Sequence, residues 1–279
     1  MQNELEQLVD LPEGKLGFTN EQIQFLLDNI GNLNPHIRDN LVYTLFARGF
    51  SENAFKQKQI QVIIDSFIQN RGLFRQINQP ENDAVFLRTF SALLGALILE
   101  SDNGKPILTD SERQLLFDWS IRYLKEEKDF RGYVTNKGWA HSIAHGSDFL
   151  GATLSHHDFK PKSVSAIFEV ITSIFQNLKN PFVDDEEQRI AFAFFQGVHF
   201  QKIASADFNS FVDDFDKKIY QQLLHDDRAN WYCLSSWFRL LQNWYFSTNK
   251  EVQDNLHSKI TAYNKKIGFY IVGKLKKNP

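Results

Sequence analysis

From Gly138 to Phe159 the chain contains no Lys, Arg, Glu or Gln. Those four types supply most solvent-facing positions of helices, because long charged or amide side chains stay in water at little cost. A helix over this stretch must therefore be covered on more than one side. At 100° per residue, Trp139, Ile143, Gly146, Leu150 and Leu154 fall on one stripe, and His141, His145, Asp148 and Ala152 on the opposite one. The first stripe calls for a hydrophobic neighbour. The second stacks two imidazoles and a carboxylate at i, i+4 and i+7, where their side chains can meet. Ser142 and Ala144 flank them and leave room for another backbone, water or a ligand.

The rest of the chain reads as helices in pairs. Thr19 caps a helix carrying Ile23, Leu26, Leu27 and Ile30, and Gly31 ends it. Asn34-Pro35 opens the next, with Ile37, Leu41, Leu45 and Phe46 on its stripe and Gly49 as its stop. Further pairs follow: residues 51–70 with 80–100, a helix opened by Thr109 with the His-rich stretch, 161–180 with 184–204, and 207–224 with 228–246. In the third pair Glu112 stands at the capping-box position relative to Thr109. A last helix runs from about Lys250 to Lys274. The second helices begin near Asn34, Pro80, Gly138, Asp184 and Arg228, at intervals of roughly 45 residues except for one lengthened by the loop from Lys125 to Lys137. No stretch alternates with period 2. The expected fold is all-α: a helical-hairpin array of the HEAT or armadillo kind, an α-α superhelix of about eleven helices. It is expected as one domain over 1–279, with a lead-in at 1–18, about five hairpins over 19–249 and a terminal helix over 250–279. In such arrays the second helices line the concave face, which puts the His-rich helix at its middle.

Composition narrows the function classes. A net charge of −3 gives no reason to expect nucleic acid or an anionic membrane as partner. The single cysteine, Cys233, excludes an intramolecular disulfide and fits a reducing compartment. The start, MQNELEQLVD, lacks an apolar signal region, and no run of about 18 apolar residues occurs. The expectation is a cytoplasmic protein without a membrane span. Phosphate loops and nucleophile elbows are missing as well.

Three readings of the central stretch stand open. In the first, His141, His145 and Asp148 ligate a divalent transition metal, with His156 as fourth ligand or general base, and the protein is a metal-dependent hydrolase. The spacing is H-x-x-x-H without the Glu of the zincin motif, since Ser142 stands in its place. In the second, Arg131, Lys137, His141 and His145 form a ligand pocket walled by Tyr133 or Trp139, with Asn136 capping the helix. A protein, a peptide or a small anion would bind there. In the third, the polar groups satisfy one another inside the core, with Asp148 accepting from Arg131 or Arg88. Whether the protein is an enzyme, and its oligomeric state, stay undecided at this level. Elsewhere, Arg88 in an apolar helix needs an acid such as Glu100, Asp118 or Asp148. The acid run from Asp184 to Glu187 reads as a solvated helix start, and Trp231, Trp237 and Trp244 read as core.

Four segments carry a family likeness: PHIRDNLVYTLFARG, DAVFLRTFSALLGALILE, DFRGYVTNKGWAHSIAHGSDFLGATLSHH and DEEQRIAFAF. Together they resemble the bacterial family called "domain of unknown function 2785", over about Leu26 to Leu241. The R-G-Y-V, G-W-A-H and A-H-G-x-D elements are the most specific part. The resemblance implies an all-helical, HEAT-like, bacterial and cytosolic protein with no established activity. It marks Arg131, Gly132, Trp139, His141, His145 and Asp148 as the family's hallmark without giving any of them a role.

Overall fold

The computed structural model describes residues 1–79, 81–225 and 227–267. The protein is all-α, with twelve α-helices and one very short β-hairpin among those residues. The expected course of the last helix beyond Ile267, including most of the basic segment KKIGFYIVGKLKKNP, lies outside them. Contacts gather the chain into two compact units, Met1–Lys160 and Pro161–Pro279.

The first unit opens with α1 (Gln2–Val9) and α2 (Asn20–Asp28). Thr19 caps α2 in a full capping box with Gln22. A π-helical segment, His36–Tyr43, then runs directly into α3 (Thr44–Ser51), where periodicity led us to expect one regular helix. A π-turn holds one more residue per hydrogen-bonded ring than an α-turn, and apolar spacing does not register it. Next come α4 (Gln57–Asn70), α5 (Ala84–Gly104) and α6 (Asp110–Glu126), the last capped by Thr109 and Glu112 as anticipated. The strands β1 (Tyr133–Val134) and β2 (Gly138–Trp139) pair antiparallel, and α7 (Ser142–Ser155) closes the unit.

Helix α7 packs on α5 along its length and on α6 beside it. The pairs Phe90 with His145 and Asp102 with His156 show that α5 and α7 run parallel. Small residues permit the approach. A Cβ on Gly95 would stand 2.7 Å from Phe149, and one on Gly146 would stand 2.6 Å from both Leu124 and Tyr123. With α5 on one face and α6 on another, long polar side chains have no solvent to reach. That accounts for their absence from this stretch. Helix α5 is itself apolar and long enough to cross a membrane by length and composition, and 72% of its most apolar window is buried inside the protein.

The second unit contains α8 (Val164–Asn177), α9 (Glu186–His199), α10 (Ser205–Gln222), α11 (Arg228–Ser247) and α12 (Lys250–Ile267). Helix α11 packs against α9, α10 and α12. Its core is aromatic: Phe168 stacks on Phe211 at 4.3 Å, and Trp237 and Trp244 meet edge to face at 5.7 Å. Two expectations change here. Trp231, one turn before the core face, is half exposed rather than buried. The acid run is not solvated throughout, since Glu186 and Glu187 are buried and Glu187 pairs with Arg239 at 2.6 Å.

Candidate functional site

The hairpin and the start of α7 form the most unusual local structure in the first unit. Backbone pairing continues past the two strands, with the amides of Ala140 and His141 donating to the carbonyls of Gly132 and Arg131 at 2.9 and 3.0 Å. The loop turns through Asn136 and Gly138, both at positive φ (64° and 74°). Asn136 serves this turn and does not cap the helix. The residue at the α7 N-cap is His141, itself left-handed at φ 50°, ψ 39°. A non-glycine residue in that region costs energy that its surroundings must supply. The kink takes Trp139 and His141 out of the helix, so the continuous stripe expected from Trp139 to Leu154 starts only at Ile143. The strands are too short, at two residues each, to leave an alternation in sequence.

The kink also assembles an aromatic ledge. Trp139 stacks on His141 with centroids 4.8 Å apart and meets Tyr133 edge to face at 5.2 Å. Tyr133 is 59% exposed and Trp139 40%, while His145, one turn into α7, is buried against Phe90. The His141 and His145 rings lie 5.4 Å apart, nearly perpendicular.

Beneath the ledge lies Arg38, fully buried, which sequence reasoning missed. Its guanidinium donates to the carbonyls of Asn32 and Lys137 at 2.8 and 2.7 Å, and lies 4.4 and 4.8 Å from the ring centres of Phe86 and Phe90. It pairs with Asp39 at 2.8 Å. Burial pushes the guanidinium down and the Asp39 carboxyl up, and their mutual attraction offsets part of both shifts. Gly138 rests directly on this segment: a Cβ there would stand 2.7 Å from Pro35 and 3.1 Å from Arg38. The π-helical turn thus grips the hairpin from below. The only sequence signal was a conspicuous Arg-Asp pair inside an apolar stripe.

The cations expected in the pocket are already matched. Arg131 donates twice to Asp129, at 2.8 and 2.5 Å, and once to the Asn82 carbonyl. Lys137 holds both carboxylate oxygens of Asp83 at 2.7 Å. An anion would compete with those carboxylates, so the convergent set of Arg131, Lys137, His141 and His145 is not assembled as an anion pocket. Arg88 finds none of the acids anticipated for it. It forms a bidentate pair with Glu127 at 2.7 and 2.8 Å, both groups fully buried. Glu127 in turn accepts the amides of Lys128 and Asp129, at 2.9 Å each, and fixes where the loop leaves α6. The Ser142 hydroxyl donates to the Asp129 carbonyl and ties the helix start to the same loop.

The four residues expected to share a metal are spread along α7. Asp148 is half-buried farther along the helix, where its charge helps to raise the carboxyl of Glu100. His156 follows the helix's other end, some 20 Å from His141 at 1.5 Å per residue. There it belongs to a buried network: its Nε2 lies 3.1 Å from Asp102, its Nδ1 accepts the Asp158 amide at 3.2 Å, and Asp102 also receives Arg113 at 2.5 Å. Because Nδ1 is an acceptor, the ring proton sits on Nε2 and is donated to Asp102. Burial by itself would raise the Asp102 carboxyl. The bonds from His156, Arg113 and the Leu108 and Ile107 amides outweigh it and hold the group well below the usual carboxylate range. Among the described residues, the ligand-type atoms within 4.8 Å of one another are those of His156, His157 and Asp158. Both nitrogens of His156 are engaged, so that corner reads as a hydrogen-bonded helix end.

A family described as "Protein of unknown function (DUF2785)" matches residues 73–246, more than half of the chain and all of the hairpin and α7. No curated protein and no solved structure matches. The chain belongs to that family.

Proposed function

From that membership, which fixes the family but no activity, we propose that the protein is a cytosolic binding module. It is built as a HEAT-type array and takes a protein or peptide segment on the ledge of Tyr133, Trp139 and His141. The observation that carries this reading is the contrast between the ledge and its foundation. Two large aromatic side chains face solvent on a hairpin whose base is held by the buried Arg38 and by the paired Arg88, Arg131 and Lys137. Exposed aromatics on a pre-organised support make strong anchors, because little conformational entropy is lost on binding and much apolar area is removed from water. A peptide suits the ledge better than an anion, since its cations are already neutralised.

The test is capture from a bacterial lysate on immobilised protein, comparing the wild type with Trp139→Ala and Tyr133→Ala at equal thermal stability. Loss of an anchor of about 2 kcal/mol lowers recovery of the specific partner by roughly thirtyfold. Unchanged recovery with both variants would end the proposal. The close approach of the His141 and His145 rings keeps a second reading, a metal-dependent hydrolase, in view. Metal analysis of protein purified without a histidine tag separates the two. Near-stoichiometric zinc, iron or manganese that is lost on His141→Ala would favour the hydrolase.

A further inference from the structure

A cavity of about 950 Å³ opens elsewhere in the first unit, among the C-terminal turns of α3 and α5 and the connections into α4 and α6. Its volume lies in the range of small-molecule sites, which are mostly apolar with a few convergent polar groups. The apolar part of the lining comes from Phe50, Phe55, Ile60, Leu97 and Leu108. Its charged residues are Glu100, Glu112 and Lys105. Glu112 is occupied by the capping box, where it accepts both the amide and the hydroxyl of Thr109 at 2.7 Å. Lys105 is exposed in the extended segment just after α5. Glu100 projects from the last turns of α5, whose terminal carbonyls add negative partial charge to the same end of the cavity.

The wall is rigid where it matters. The loop that contributes Ile107 and Leu108 is fastened by their amides to Asp102 at 2.8 Å each, and Asp102 is fastened to Arg113 and His156. The opposite wall is set by Gly49, where a Cβ would run into the Phe55 ring at 2.0 Å. At Gly104 a Cβ would meet nothing within 4 Å, so the cavity mouth is open on that side.

We propose that this cavity binds a small organic cation with an apolar body, an aryl- or alkyl-amine, whose ammonium group is held by Glu100 while its body lies against Phe50, Phe55 and Leu97. The chemistry follows from the balance of charge. Glu100 and Glu112 line the cavity, against Lys105 alone. Burial first, and the charge of Asp148 second, push the Glu100 carboxyl above its ordinary value. A bound ammonium would stand directly against that carboxylate. It favours the ionised carboxylate, so binding at a pH where Glu100 is partly protonated releases protons from it. The site shares no residue with the ledge, and either proposal can fail without the other.

Three probes with a common phenylethyl body decide the matter: 2-phenylethylamine, 2-phenylethanol and 3-phenylpropionate, titrated into the full chain by calorimetry. The amine is expected to bind at least about tenfold more tightly than the alcohol, in line with a charge-assisted contact, and the carboxylate not at all. Titration of the amine in two buffers of different ionisation enthalpy should reveal proton release that vanishes in Glu100→Gln, together with the preference for amine over alcohol. Ser101→Trp, which fills the cavity, should abolish binding while the melting transition persists. Equal affinity for amine and alcohol, tighter binding of the carboxylate, proton release unchanged in Glu100→Gln, or no binding of any probe up to about 10 mM would each overturn the assignment.

Discussion

Replacing Arg88 by Met should destabilise the protein by about 3–5 kcal/mol, because it strips the counter-charge from a carboxylate that has no access to water. Arg88 makes three hydrogen bonds, two to Glu127 and one to the Arg75 carbonyl at 3.0 Å. Charged hydrogen bonds contribute roughly 1.5–3 kcal/mol each, and the desolvation of two ions offsets much of their sum. Methionine keeps the length and most of the volume, so cavity formation adds little. For a cooperative unit of this size, 1 kcal/mol corresponds to about 2–4 °C in melting temperature, hence a fall of roughly 6–20 °C. The assay is urea unfolding followed by circular dichroism and tryptophan fluorescence, on Arg88→Met, Glu127→Leu and the double variant. The double variant should recover most of the loss, since an apolar pair of similar volume replaces a buried ion pair at little cost. Recovery should stay incomplete by about 1 kcal/mol, because the Lys128 and Asp129 amides lose their acceptor. A loss below about 1 kcal/mol for Arg88→Met, or strictly additive losses in the double variant, would refute the account.

Two further outcomes follow from buried titratable groups. The Asp102 carboxyl is held below its unfolded-state value near 3.8, so its contribution to stability is fully present above that pH and is lost as pH falls below it; Asp102→Asn should be less stable at neutral pH and show a flatter acid limb in unfolding experiments. Burial, with a smaller contribution from Asp227, pushes the Cys233 thiol up to about 11, so the native protein should not react with a thiol-specific disulfide reagent near neutral pH, whereas urea-unfolded protein should react fully; rapid native labelling would contradict the packing described for α11.

Much of the helical scaffold was legible because helices announce themselves locally. The capping boxes at Thr19 and Thr109, the 3.6-residue apolar spacing and the absence of long polar side chains after Gly138 each have a cause within a few residues. The site was harder to read because its causes are distant. Arg88 meets an acid 39 residues away, and Arg38 reaches a carbonyl 99 residues away. The stacking of His141 on Trp139 depends on a left-handed backbone at a residue type that prefers other conformations. Spacing correctly brought His141 and His145 near each other. It placed His141 inside a helix that starts one residue later, and it could not show that Arg131 and Lys137 had acids of their own.

The wider helical turn from His36 to Tyr43 is the seat on which the hairpin rests. A π-turn takes one more residue per ring than an α-turn, and on this wider segment Arg38 reaches the Lys137 carbonyl while Leu41, and Leu45 just beyond it, are buried in the core. A surface hairpin near residue 138 is therefore held in place by a helix a hundred positions earlier.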